Sequence, residues 1–342
     1  MALAARPSQF SPDMRQIATD YSGSESNRCI TLESILAETI IGVSPAIRRL
    51  RALIVRLAPS MLPVHIHGPT GSGKELVARA LHIASRRAGK LVSMNVCAIA
   101  EGVFEATLFG HTRGAFTGAI ADQDGLLVEA DGGTVFLDEI GGMSGVAQAK
   151  LLRAIELREF RPVGARKDKT SRFRLLSATN EDLDLLVERG AFREDLSHRL
   201  RGAVVTVPPL AARKEDIDPL ARHFARTFAD KTIDETAIAE LVQREWPGNV
   251  RELALVVQCA SALAGTGRIS RASVHEALEL RRAPNAFERA RDDADARRLL
   301  DALRANAWDV DATAAAVGIH RTTVYRRMRK FGLDESAEQL MI

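Results

Sequence analysis

The chain has 342 residues, of which 46% are hydrophobic and 27% charged, with a net charge of +3. That balance excludes a wholly disordered chain and gives room for two or three folded domains of roughly 100–200 residues each. Three scattered cysteines without pairing or metal-ligand spacing exclude a disulfide framework; with no run near the roughly 18 apolar residues of a membrane span and no signal-type N-terminus, the chain reads as cytoplasmic.

Residues 1–36 are polar and mixed, and read as a flexible lead-in too short for a sensory domain. From residue 37 to 209 short apolar strands alternate with longer helices. The expected strands are Val64–Ile66, Leu91–Val96, Thr134–Leu137, Phe173–Ala178 and Ala203–Val207, and the helices between them include Glu75–Ser85 and Ala147–Glu159. Strands rich in Val, Leu and Ile, each followed by a helix, indicate an α/β unit with a parallel sheet covered on both faces. Pro208-Pro209 stops that pattern, and residues 210–282 read as helices alone. A second break is expected at Pro284, with a charged linker over 283–296. A small all-α unit follows over 297–334, and a tail over 335–342.

The segment Gly68-Pro69-Thr70-Gly71-Ser72-Gly73-Lys74-Glu75 follows a strand and opens a helix, at the spacing of a Walker A loop. Glycines let backbone N–H groups turn toward phosphate oxygens, and the helix N-terminus adds its positive end. Lys74 supplies a cation for the β- and γ-phosphates. Glu75 stands where the generic motif has Ser or Thr touching magnesium. Thr134–Leu137 ends in Asp138-Glu139, the Walker B form, with Asp138 expected to hold Mg2+ and Glu139 to orient and deprotonate the attacking water. A second strand ends in Thr179-Asn180; the residues alone leave open whether Asn180 serves the γ-phosphate or a turn. Together these residues imply ATP and magnesium.

Phe109-Gly110-His111 leads into Gly114-Ala115-Phe116-Thr117-Gly118-Ala119. Three glycines make a stiff helix costly there, at about 1 kcal/mol each relative to alanine. They flank an aromatic with little around it to bury against, a pattern that suits contact with a partner, although Phe116 could also tuck into the core. At the other end, helices are expected from Leu299, over Asp311–Val317 and over His320–Phe331, with a turn at Gly318-Ile319. Arg321, Arg326, Arg327, Arg329 and Lys330 lie in a stretch free of acids. Ala314, Ala315, Val317, Ile319, Val324 and Met328 are expected to hold the helices together. This is helix-turn-helix logic, and His320, Arg321, Thr322, Thr323, Arg326, Arg327 and Lys330 are candidates for base or phosphate contacts in double-stranded DNA.

The stretch Gly114–Ala119 resembles the GAFTGA signature of the AAA+ domain of sigma-54-dependent activators (bacterial enhancer-binding proteins). Phe136–Ile140, Phe192–Leu196 with Arg199-Leu200, and Trp246–Leu253 continue the resemblance along roughly residues 40–280, and the C-terminal unit resembles the family's Fis-type module. Lys-Glu after the last loop glycine is usual in that family. The resemblance implies an AAA+ parallel sheet with a helical lid, contact of residues 114–119 with the sigma factor, and assembly into a homo-oligomeric ring, a hexamer. It implies that Asn95 restrains Glu139, that Thr179 and Asn180 form a first sensor, and that Arg193 and Arg199 reach a neighbouring subunit's γ-phosphate. Arg251 would be a second sensor on the lid. Ser197-His198, Ala211-Ala212 and Ala254 depart from the family's common residues, which bears on subunit packing and rate. The implied activity is ATP-driven remodelling of sigma-54 RNA polymerase from upstream DNA sites at the nucleoid. The implied form is a short one without a receiver domain, under a possible regulatory partner protein. Two other classes stay open: a AAA+ machine acting on another protein or DNA target, and a DNA-binding repressor with a vestigial ATPase.

Overall fold

The computed structural model describes residues 31–331, apart from 100, 266 and 320, together with Leu333. Thr31 accepts a hydrogen bond from the Ser34 amide and starts α1 (Leu32–Thr39), whose Leu36 is fully buried. The expected lead-in is therefore shorter than 1–36: residues 31–36 already pack on the core, and 1–30 lie outside the described residues. Ser44 caps α2 (Pro45–Leu57) and Pro45 takes a first-turn position, where a helix needs no amide. Ile47, Leu50 and Ile54 share one face of α2 and are buried.

The chain continues through β1 (Val64–His67), α3 (Lys74–Ser85), β2 (Leu91–Asn95) and α4 (Glu101–Phe109). A short antiparallel pair, β3 (Gly110–His111) and β4 (Gln123–Asp124), precedes α5 (Leu126–Glu129), β5 (Thr134–Asp138) and α6 (Gly145–Leu157). A second short pair, β6 (Glu159–Phe160) and β7 (Lys169–Thr170), leads to β8 (Arg174–Thr179), α7 (Leu183–Glu188), α8 (Glu194–Leu200) and β9 (Ala203–Thr206). The main sheet has the order β2-β5-β8-β1-β9 and is parallel throughout. Each expected strand lies within one residue of its place. The apolar runs work because both faces are covered: Val64, Ile66, Leu176 and Ala178 pack toward α1–α3, while Val135, Leu137 and Leu175 pack toward α4–α8. Arg174 is almost fully buried, yet its guanidinium donates to the carbonyls of Leu57 and Ala58, placing a cation at the C-terminal end of α2.

His65, on β1, is 3% exposed and its Nδ1 lies 3.0 Å from Ser177 Oγ. Burial, with the charges of Arg201 and His67 added, lowers its pKa from 6.5 to about 4. The unfolded chain takes up this proton near its ordinary pKa, whereas the folded chain resists until about pH 4. Folding stability is therefore lost as pH falls between those two values, by about 2 kcal/mol at pH 5 relative to pH 7.5 for this group alone. Urea denaturation at those two pH values should show a smaller acid penalty in His65→Gln than in the wild type.

After Pro208-Pro209 come the lid helices α9 (Ile217–Ala229), α10 (Glu235–Val242) and α11 (Asn249–Leu263), and the first turns of α12 (Arg271–Ala305). They share a core of Leu220, Leu241, Trp246, Leu253 and Val257, against which Ile41 also packs. The break expected at Pro284 and the linker over 283–296 do not appear, since α12 runs through both. A proline inside a helix costs about 3 kcal/mol, but the Ala- and Arg-rich residues around it are strong helix formers. The chain closes with α13 (Val310–Val317) and α14 (Arg321–Phe331), while the expected tail over 335–342 lies outside the described residues. Among the described residues no helix is long and apolar enough to cross a membrane.

Candidate nucleotide site and its attachments

The loop from Gly68 to Gly73 joins the C-terminal end of β1 to the N-terminus of α3. Gly71 and Gly73 have φ of 76° and 109°, where a side chain would strain the backbone. Lys74 is 6% exposed; its Nζ donates to the Gly68 carbonyl at 3.1 Å and pairs with Glu139 Oε1 at 3.3 Å. Ser72 Oγ is buried and has no hydrogen-bond partner among the described residues. Thr70 and Glu75 are exposed and Pro69 is half-buried. A glycine-bent loop at a helix N-terminus, a buried cation and an orphaned hydroxyl suit a polyphosphate, which brings acceptor oxygens to them.

Asp138 and Glu139 end β5 beside this loop. Burial and the neighbouring Glu139 raise the pKa of Asp138, with Lys74 acting in the opposite direction. Glu139 adopts φ 53°, which turns its carboxylate back over the sheet edge toward Lys74 and toward the Asn180 amide, 3.4 Å from Oε2. Asn180 Nδ2 donates to Thr70 Oγ1 at 3.1 Å, so the end of β8 touches the phosphate loop. Thr179 is buried and its hydroxyl accepts from the Glu181 amide. The structure thus brings together Lys74, Asp138, Glu139, Thr70 and Asn180. Among the described residues no group of three or more His, Cys, Asp or Glu side chains could hold a metal ion. One carboxylate still fits magnesium, which takes its other ligands from phosphates and water, and Asp138 is placed to be that carboxylate.

Three of the expected site residues stand apart. Asn95 lies opposite Asp138 in the β2–β5 register, but its Oδ1 accepts from the Ala98 amide at 3.1 Å and caps a short turn. No hydrogen bond joins Asn95 to Glu139 among the described residues; only its Nδ2 could donate to that carboxylate, and the bond Asn95 makes is through its oxygen. Arg193 forks onto Asp195, at 3.0 and 2.7 Å, and Arg199 pairs with Glu156 at 2.9 Å. Both arginines are about half exposed, and none of these contacts is with the chain's own phosphate loop.

The segment from Gly114 to Ala119 forms a turn standing on β3 and β4. Gly114 N–H donates to the Ala119 carbonyl, Ala119 N–H donates to the Phe116 carbonyl, and Asp122 Oδ1 accepts from the Arg113 amide. Nothing lies near the place of a Cβ at Gly114 or Gly118, so their φ of 78° and 104°, not crowding, requires glycine. Phe116 is 41% exposed and its ring rests against His111, with centroids 5.0 Å apart; Ile120 beside it is 85% exposed. A feature the sequence reading missed supports this turn. The β6–β7 hairpin places Val163 on β3, with Thr112 N–H donating to the Val163 carbonyl, Val163 N–H donating to the Gly110 carbonyl, and Gly164 lying against Ala115.

At the C-terminal unit Asp309 caps α13, and Gly318 closes it with φ 70°. The core here is Leu299, Leu303, Ala314 and Val324, with Trp308, Ile319 and Met328 packed against it. Ala315 and Val317, expected in that core, are exposed, because α13 is short and turns one narrow face inward. Arg321 is exposed and lies 3.6 Å from Asp311. Thr323 and Arg327 are partly exposed. His320 lies outside the described residues, as do the side chains of Thr322, Arg326 and Lys330.

The lid supplies residues that the sequence reading did not assign to the site. Asp216, fully buried, accepts from the amides of Val43 and Ser44 and from Ser44 Oγ, fastening the lid to the start of the core. Arg213 and Asn249, also buried, donate to the phosphate loop. The backbone amide of Arg251 does the same, while its side chain stays exposed.

Residues 40–206 match the family described as the Sigma-54 interaction domain, residues 211–290 the AAA+ ATPase lid domain, and residues 290–331 the bacterial regulatory protein, Fis family. The chain is 44% identical over 270 residues to the transcriptional regulator VasH of Vibrio cholerae, covering 76% of this chain and 51% of VasH. It is 39% identical over 305 residues to the transcriptional regulatory protein GlrR of Escherichia coli, covering 87% of this chain and 69% of GlrR. It thus spans about half the length of the first relative and two thirds of the second. Among solved structures, NtrX from Brucella abortus in complex with ATP is similar at a TM-score of 0.62 and 34% identity, over 86% of this chain and 69% of that one.

Proposed function

Because the chain belongs to the sigma-54 interaction domain family of transcriptional regulators, we propose that it is an ATP-hydrolysing activator that remodels RNA polymerase carrying sigma-54. The NtrX relative binds ATP in the same fold, which supports ATP as the ligand of the loop at residues 68–75. Lys74 would leave Glu139 for the β- and γ-phosphates, freeing the glutamate to orient and deprotonate water. Magnesium, held through Asp138, would neutralise charge on the phosphates. The ring, a hexamer, would let Arg193 and Arg199 of one subunit serve the site of the next, and α14 would hold the assembly to upstream DNA through Arg321, Thr323 and Arg327.

One observation carries this reading. Both stems of the Phe116 turn lead straight back to the catalytic strands. Its leading stem runs through α4 to the end of β2, where Cys97 Sγ lies 3.6 Å from the Glu139 carbonyl. Its trailing stem runs through β4 and α5 into β5, which ends at Asp138. A shift of Glu139 with nucleotide state therefore has a short, packed path to an exposed phenylalanine. Phe116→Ala and Thr117→Ala should keep ATP turnover near the wild-type value. Open-complex formation at a sigma-54 promoter in a purified system should fall about 30-fold or more, as for an interface residue worth about 2 kcal/mol. Normal promoter opening by both variants would defeat the proposal.

A further inference from the structure

Three successive carbonyls of the phosphate loop are each bonded by the lid. Asn249 Nδ2 donates to the Thr70 carbonyl at 3.0 Å, the Arg251 amide to Gly71 at 3.2 Å, and Arg213 Nη2 to Ser72 at 2.8 Å. In a trans peptide the carbonyl and the following N–H point opposite ways. Holding these three carbonyls toward the lid therefore turns the amides of Gly71, Ser72 and Gly73 toward the inside of the loop. Of these, Ser72 N–H already closes a turn on the Pro69 carbonyl. The fit is close enough that a Cβ on Gly71 would lie 2.4 Å from the Gly248 carbonyl and 3.0 Å from Arg251 Cβ.

The two side chains that make the clamp are fixed by the junction between core and lid. Asn249, 3% exposed and at φ 54°, accepts from the Leu210 amide through Oδ1 while donating to Thr70. Arg213, 2% exposed, lies 3.9 Å from Asp216, which itself holds residues 43 and 44. Its Nε has no hydrogen-bond partner among the described residues.

We infer that Asn249 and Arg213 are positioning residues for phosphate binding: the lid sets the peptide orientation of the loop, so nucleotide affinity and lid docking are one equilibrium. The inference rests on the reading of residues 68–75 as an ATP site. It differs from a sensor role for the Arg251 side chain, because the Arg251 contribution to the clamp is its backbone amide. Whatever moves the lid loosens the phosphate cradle, and a bound phosphate tightens the lid by the same factor.

The test is binding of fluorescently labelled ADP, with steady-state ATP kinetics, on the full chain. Asn249→Gly keeps the positive φ available but removes the donor to Thr70. It also removes the acceptor of the Leu210 amide. The change should raise the Kd for ADP about 10- to 100-fold and the KM for ATP in parallel, the loss expected when buried hydrogen bonds are left unmade, with kcat changed far less. Arg213→Met should weaken ADP binding similarly, and Arg213→Lys, which restores one donor, should recover part of it. A folded Asn249→Gly protein with wild-type Kd would overturn the inference. Hydrogen exchange on the wild-type chain decides the matter if the variants do not fold. On adding ADP, amides of 71–73 and of 250–253 should gain protection together, and still do so in Arg251→Ala. Protection of 71–73 with no change at 250–253 would refute the clamp, whereas no ADP binding by the wild type would overturn the ATP-site reading and the clamp with it.

Discussion

Glu139→Gln is expected to lower ATP turnover by about 10²- to 10⁴-fold, the usual contribution of a positioned general base. The same change should leave ATP affinity intact or improve it. Lys74 Nζ rests 3.3 Å from Glu139 Oε1, so the carboxylate competes with an incoming phosphate for the Lys74 cation. Glutamine keeps the shape and can still accept from the Asn180 amide that Glu139 now engages through Oε2. It cannot take a proton from water, and it no longer holds Lys74 by charge. The kinetic signature is therefore split: kcat collapses while Kd for ATP stays level or falls. Single-turnover hydrolysis with equilibrium binding on the same preparation reads both. Near-normal turnover in the variant would remove Glu139 from the chemistry, and a large loss of ATP binding would mean that Glu139 holds the loop together rather than opposing the nucleotide.

What could be read from the sequence divides along a physical line. Lys74, Asp138 and Glu139 were legible because phosphate chemistry demands them at fixed offsets from glycines and strand ends, and the structure brings them together. The five strands were legible because a doubly covered parallel sheet needs unbroken apolar runs, which neighbouring segments lack. The clamp was not, since Asn249 and Thr70 are 179 residues apart and Arg213 and Ser72 are 141 apart, and no local periodicity encodes such a meeting. A buried asparagine two residues before Arg251 was the available signal. Asn95 was half legible for a related reason: its place beside Asp138 follows from strand order, while the bond its oxygen accepts follows from the turn at Ala98. Pro284 misled because a proline lowers helix stability without forbidding a helix whose neighbours favour it. The core of the C-terminal unit was only half legible. Leu299 and Leu303 come from the end of α12, so the face left for Ala315 and Val317 was solvent.

Arg193→Ala carries the second large effect. In a ring of the proposed kind it should reduce hydrolysis by about 10³- to 10⁵-fold, the range for an arginine that stabilises charge on a transferring phosphoryl group. In the single chain its guanidinium is spent on Asp195, a pair of two half-exposed groups that holds little stability and is readily exchanged for phosphate. Arg193 stands immediately before the first residue of α8, whose Leu196 and Leu200 are buried, so the side chain projects from a fixed base. Removing it should therefore leave the fold and the binding of ATP unchanged. A mixing experiment separates action on a neighbour from action within one subunit. Arg193→Ala subunits retain Lys74 and Glu139, and Glu139→Gln subunits retain both arginines. Mixed rings juxtapose an intact site with an intact finger at some boundaries, so hydrolysis should rise above that of either variant alone, in proportion to those boundaries. If Arg193 served its own subunit's site, every subunit in the mixture would lack one of the two groups and no rise would occur at any ratio.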